Sequence, residues 1–201
     1  MGLFSKDIKT FEDLFLHGLQ DIYYAENKII KTLPALIGHA SDAELKRGLK
    51  QHLRETKGQV ERLERAFQLL GEDARATRCY GIHGLISEGD EVMGNVADRG
   101  VLNAAVISAA QAVEHYEITR YGSLIAWANE MGRADIAGVL EENLAEEKAA
   151  DRRLTTIAEA RVNARAGGKR VAKSSGRSNG GKRGKATRQG LGGDRRASSR
   201  K

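Results

Sequence analysis

Two stretches of this chain repeat one another without a gap, and the repeat limits the fold more than any other feature does. A shift of 91 residues sets Tyr23-Tyr24-Ala25-Glu26 on Glu114-His115-Tyr116-Glu117, and His52-Leu53-Arg54-Glu55 on Asn143-Leu144-Ala145-Glu146. The same shift pairs Leu45 with Ile136, Leu49 with Leu140 and Leu63 with Leu154. In both copies apolar residues recur three and four apart, the period of an amphipathic helix. The repeating unit is thus a helical hairpin, and two hairpins bury their stripes against each other as a four-helix bundle.

The first predicted helix runs from about Phe11 to Ala40, with Phe11, Phe15, Leu19, Ile22, Ile29, Leu33 and Leu36 on one stripe and a kink expected at Pro34. Ser41-Asp42-Ala43-Glu44 has the spacing of a capping box, which starts a second helix that Gly71 ends. A third long helix is expected from Val101 to Met131, stopped by Gly132, and a fourth from Ala134 to Val162. The links within each hairpin are short. The segment from Gly71 to Gly100 is long enough to cross the bundle and holds one short helix, roughly Ile82 to Val96. The expected fold class is therefore all-α, with ferritin-like connectivity.

Charge divides the chain. From Asn163 to Lys201 there are 13 Lys and Arg against Asp194 alone, whereas residues 1–162 carry 20 basic and 26 acidic residues. The expected organisation is a helical domain over 1–162 and a Lys/Arg/Gly/Ser-rich tail over 163–201, with too little apolar surface to order itself. Such a tail can release counterions from DNA or another polyanion through Lys169, Arg170, Lys173, Lys182, Arg183 and Lys185, without reading bases. No membrane span and no secretory leader are expected, and a single cysteine, Cys79, fits a reducing compartment, so a cytoplasmic location is expected. Cys79 is expected to be a partly buried packing residue.

Glutamates recur on the apolar stripes. Glu26 lies between Ile22 and Ile29, and Glu117 between Val113 and Leu124, where an unpaired charge is costly. A pair of metal ions supplies the missing counter-charge, and carboxylate-rich bundles hold iron or manganese. The repeat nominates one glutamate per helix, Glu26, Glu55, Glu117 and Glu146, with Glu55 and Glu146 as bridging candidates. His52 and Glu114, each one turn before a nominated glutamate, supply further donors. The usual histidine three residues after the helix-two and helix-four glutamates is missing, since Gly58 and Ala149 stand there. The fourth-helix ligand can instead be Glu147, supported by Asp151. Tyr23, Tyr24, Tyr116 and Tyr121 are either packing residues or phenols able to bond a ligand carboxylate, and His115 is expected to face outward.

Asp21-Ile22-Tyr23-Tyr24-Ala25-Glu26, His52-Leu53-Arg54-Glu55-Thr56, Gln59-Val60-Glu61-Arg62-Leu63, Glu114-His115-Tyr116-Glu117 and Glu146-Glu147-Lys148 resemble the bacterial YciE/YciF-like proteins of the ferritin superfamily. The resemblance runs from about Thr10 to Ala160. It implies a rubrerythrin-like bundle, commonly a homodimer, linked to bacterial stress responses and holding a di-iron site. The expected chemistry is oxidation of Fe(II) by oxygen or peroxide; the alternative is a metal-free helical scaffold that binds nucleic acid through its tail.

Overall fold

The computed structural model describes residues 7–168, which fall within one compact unit. Five long helices follow in order: α1 Phe11–His39, α2 Ala43–Leu70, α3 Tyr80–Gly94, α4 Arg99–Glu130 and α5 Ala134–Ile157. A π-helical turn, Ala158–Val162, and a last short helix, α6 Asn163–Ala166, continue α5. No strand occurs among the described residues. Helices α1 and α2 form one hairpin and α4 and α5 the other; α2 packs on α5 and α1 on α4, while α3 lies against α4 with a lighter contact to α1. The all-α, ferritin-like bundle expected from the repeat is the observed one. Residues 169–201, including Lys169, Arg170, Lys173, Lys182, Arg183 and Lys185, lie outside the described residues.

Local chemistry sets the ends of these helices. Thr10 caps α1 reciprocally: its hydroxyl accepts from Asp13 N (3.0 Å), and Asp13 accepts from Thr10 N (3.1 Å). Pro34 lies inside α1 without ending it. The capping box expected at Ser41 and Glu44 does not form; Asp42 is the cap, accepting from Glu44 N (3.0 Å) and Leu45 N (3.1 Å). Tertiary partners explain the switch. Asn103 of α4 accepts from Ser41 N and donates to the Ser41 hydroxyl, and Arg161 and Arg165 converge on the Asp42 carboxylate. Gly71 and Gly132 adopt positive φ (80° and 70°) just beyond α2 and α4, the left-handed geometry of a helix stop.

The core runs along the bundle axis. Phe15, Leu19, Ile22, Leu45, Leu63, Phe67, Ile136 and Leu140 are fully excluded from solvent. Midway along it, the same inward stripes change from apolar to polar side chains. The candidate site occupies that layer.

Candidate metal centre

Four glutamates and a histidine are buried together in the bundle centre. Glu26 of α1, Glu117 of α4 and Glu147 of α5 are 0% exposed, Glu114 of α4 2% and His52 of α2 5%. Donor atoms of His52, Glu114, Glu117 and Glu147 all lie within 4.8 Å of one another, close enough for a single cation. His52 Nε2 stands 3.3 Å from Glu114 Oε1. Gln59, also fully buried, donates its amide to Glu147 Oε1. On the α1 side the Tyr121 hydroxyl donates to Glu26, and Asn143 donates in turn to the Tyr121 oxygen (2.9 Å).

These contacts leave much unsatisfied. Glu26 Oε2, His52 Nδ1, Gln59 Oε1, Glu114 Oε2, Glu147 Oε2 and both oxygens of Glu117 are buried without a hydrogen-bond partner. A single unpaired polar atom in a protein interior costs about 1–3 kcal/mol, and a charged one costs more. The electrostatics agree. Burial and the charge of Glu147 push the Glu26 carboxyl well above its usual range; burial and the charges of Glu26, Glu147 and Glu114 do the same to Glu117. Glu147 is raised by burial and its contact with Glu114. Glu114 is pushed up to about 7, mainly by burial. Without a cation, these shifts favour the protonated carboxyls.

Residues 10–167 match a family described as a domain of unknown function, DUF892. The chain belongs to the DUF892 family. It is 39% identical over 161 residues to Protein YciF of Escherichia coli strain K12, covering 80% of this chain and 97% of that one. Among solved structures, YcfI of Rhodopseudomonas palustris superposes with a TM-score of 0.75 at 55% identity, over 77% of this chain and 98% of that one. The E. coli stress protein YciF superposes with a TM-score of 0.74 at 39% identity, over 78% and 99%. The YciF-like resemblance read from the motifs therefore stands on sequence and on fold.

In this DUF892 chain the candidate residues separate into two groups. Glu26, Glu114, Glu117, His52 and Glu147 meet in the centre. Glu55 and Glu146, nominated as bridging residues, stay at the flank, where Glu55 Oε2 reaches only to 4.0 Å from His52 Nδ1. Glu55 is half-buried against Arg153, and Glu146 against Arg62. The repeat register itself is kept: buried Leu45, Leu49, His52, Gln59 and Leu63 of α2 correspond, at the 91-residue shift, to Ile136, Leu140, Asn143, Ala150 and Leu154 of α5. The inward position between His52 and Gln59 is Thr56, matched by Glu147, one residue beyond the pair the glutamates suggested. One residue rotates a side chain by about 100° around a helix, enough to carry it from the centre to the flank.

The supporting candidates also lie apart. Asp151 accepts from Gln111 (2.8 Å) and approaches His115 Nε2 (3.3 Å), so it anchors α5 to α4. Tyr23 donates to Glu64 (3.0 Å) and packs edge-on against Phe67. Tyr121, offered by the sequence as either a packing residue or a phenol able to bond a ligand carboxylate, bonds Glu26, whereas Gln59 and Asn143 touch the cluster and were not among the sequence candidates. Their shared signal is a polar residue standing where the three-and-four spacing of apolar residues continues on either side. Cys79 is 1% exposed and bonded to the Tyr116 hydroxyl (2.8 Å), so its expected packing role comes with a polar contact. Among the described residues no helix is long and apolar enough to cross a membrane.

Proposed function

We propose that the bundle centre binds two divalent metal ions, iron or manganese, and supports oxidation of Fe(II) by oxygen or peroxide. The observation that carries this reading is the concentration of every unpartnered buried side-chain polar atom, among the described residues, in one cluster of carboxylates, an imidazole and an amide. Hard oxygen donors with a single nitrogen suit such ions. The usual carboxylate bundle has a Glu-x-x-His pair on two helices; at the inward register these positions hold Thr56-x-x-Gln59 and Glu147-x-x-Ala150. His52, Glu114, Glu117 and Glu147, whose donor atoms lie together, would hold one ion, and Glu26 with the free Gln59 amide oxygen would supply donors for a second beside it.

A bound pair of ions would supply the electron transfer. The protein's own groups do the rest. Tyr121 and Asn143 hold Glu26 in place, Gln59 orients Glu147, and the raised carboxyls give up protons as cations enter. Since E. coli YciF is named a stress protein, removal of free iron or peroxide under stress is the setting proposed for this chain. A homodimer in the cytoplasm and retention on DNA by the basic extension belong to the same reading. Truncation should begin after Gly168, because Arg165 bonds Asp42.

The test is anaerobic titration of the full chain with Fe(II), followed by oxygen. Two ions per chain, the first held more tightly, are expected, and oxygen should then develop near-ultraviolet absorption of ferric carboxylate. A chain that takes up neither iron nor manganese would refute the proposal.

A further inference from the structure

Beneath α3 lies a cavity of about 40 Å³. Its walls are mainly apolar, with Leu36 of α1, Ile86 and Met93 of α3 and Val113 of α4; exposed Asp90 of α3 and buried His52 and Glu114 also line it. Helix α3 covers it closely. At Gly89 a Cβ would stand 3.0 Å from that of Ala109, so glycine lets the covering helix settle onto α4. From the opposite side, between α2 and α5, only a gap of about 10 Å³ reaches the same two residues, and Arg153, paired with Glu55, lines it. The site thus has a wider apolar approach and a narrower one with a cation beside it.

We propose that the cavity beneath α3 is the entry and holding site for molecular oxygen on its way to His52 and Glu114. The proposal rests on the metal-site reading and selects between its two oxidants. Size is the first argument. A cavity of about 150 Å³ takes benzene, so this one admits a diatomic gas or a noble-gas atom rather than an organic substrate. Polarity is the second. The side-chain acceptors in the lining are Asp90, Thr32, His52 and Glu114, and the rest of the wall is apolar. Along the aliphatic stretch hydrogen peroxide therefore leaves an O–H donor unpaired at a cost of about 1–3 kcal/mol, whereas oxygen has no hydrogen bonds to lose. Two electrons from two ferrous ions and two protons convert the oxygen molecule to hydrogen peroxide, so charge and atoms balance without another reactant.

Crystals of the metal-free full chain under xenon pressure test the site directly. A xenon atom is expected among Leu36, Met93 and Val113, absent in Val113→Phe and retained in Ile86→Ala. In the Fe(II)-loaded protein Val113→Phe should slow oxidation by oxygen about tenfold or more, while the rate with hydrogen peroxide changes by less than about twofold. Ile86→Ala, which widens the outer wall, should react with oxygen at least as fast as the wild type, and it keeps the comparison available if the filled variant fails to fold. No xenon in the wild-type cavity overturns the proposal, as does equal slowing of both oxidants by Val113→Phe. If the chain takes up no iron, the metal reading fails, and the xenon position still decides whether the cavity is a gas site.

Discussion

Position for position, the α1–α2 hairpin offers the bundle centre Glu26, His52, Thr56 and Gln59, while the α4–α5 hairpin offers Glu117, Asn143, Glu147 and Ala150. Glu114 stands where the first hairpin has Tyr23, and buried Tyr121 where it has Ile30. Packing positions have been kept through the repeat, but donors have not. Three of the four carboxylates come from α4 and α5, and the one imidazole comes from α2. A duplicated scaffold therefore fixes where side chains point, and leaves each copy free to divide the chemistry.

The largest effect should come from breaking the richer half. Glu147→Leu is expected to lower metal affinity by more than about a hundredfold, beyond the usual loss for residues that only support a ligand. Its repeat partner, Thr56→Val, should change affinity by less than about threefold, since the Thr56 hydroxyl already donates to His52 O (2.8 Å). Metal-free stability should move the other way. Replacing this buried carboxyl, crowded by Glu114, by an apolar side chain is expected to raise stability by about 1–2 kcal/mol, read from denaturant unfolding at pH 8. Relief of the unpartnered oxygen exceeds the loss of the Gln59 amide's partner.

A change of pH acts on the same imbalance. Glu26, Glu114, Glu117 and Glu147 all have folded-state pKa values above their unfolded ones, so the folded chain holds extra protons. Their favourable contribution is complete below the unfolded carboxylate range and is lost as pH rises through the folded values, near 7 for Glu114. For Glu114 alone the loss reaches roughly 3 kcal/mol once it is deprotonated. The Tm of metal-free protein should fall between pH 5.5 and 8.5, and saturating Mn(II) should flatten that slope. A metal-free Tm that rises over this interval would show that these carboxyls are charged and stabilised by something else.

A third test sharpens the difference between the halves. Gln59→His would place a nitrogen donor beside Glu147 on the α2 side, where the usual bundle pattern has one. The weaker of two metal-binding steps should tighten about tenfold, bringing the two affinities together in calorimetric titration. An unchanged weaker step would mean that position 59 does not face the second ion.

How far the sequence went depends on which signal carried each feature. Bundle and hairpins were legible because apolar spacing and the gapless repeat reinforce each other over long helices, and Gly71 and Gly132 mark their stops. Glu26 and Glu117 were legible because they interrupt apolar stripes, and His52 and Glu114 because each stands one turn before a nominated glutamate. Thr56 and Gln59 were not, since an uncharged polar side chain on an inward stripe costs far less to bury than a carboxylate and so stands out less. Ser41 and Glu44 carried the capping signature, yet the cap moved to Asp42 through Asn103, Arg161 and Arg165, three residues distant in sequence. Such contacts follow from the fold and cannot be read before it.

The smallest expected effect discriminates most directly between the two possible registers. Glu55 and Glu146 are adjacent to Thr56 and Glu147, respectively, and each is held by an arginine across the α2–α5 interface, Arg153 and Arg62. Partly solvated pairs of this kind contribute about 1 kcal/mol or less. Glu55→Ala with Glu146→Ala should therefore leave metal stoichiometry and affinity within about twofold and lower stability only slightly, by about 1–2 kcal/mol for both together. The arithmetic matters because Glu147→Leu alters one side chain only one position away. If the double variant loses a metal ion while Glu147→Leu keeps both, then α2 and α5 are rotated by one residue relative to the arrangement described, Arg62 and Arg153 face inward, and the inequality between the hairpins disappears with them.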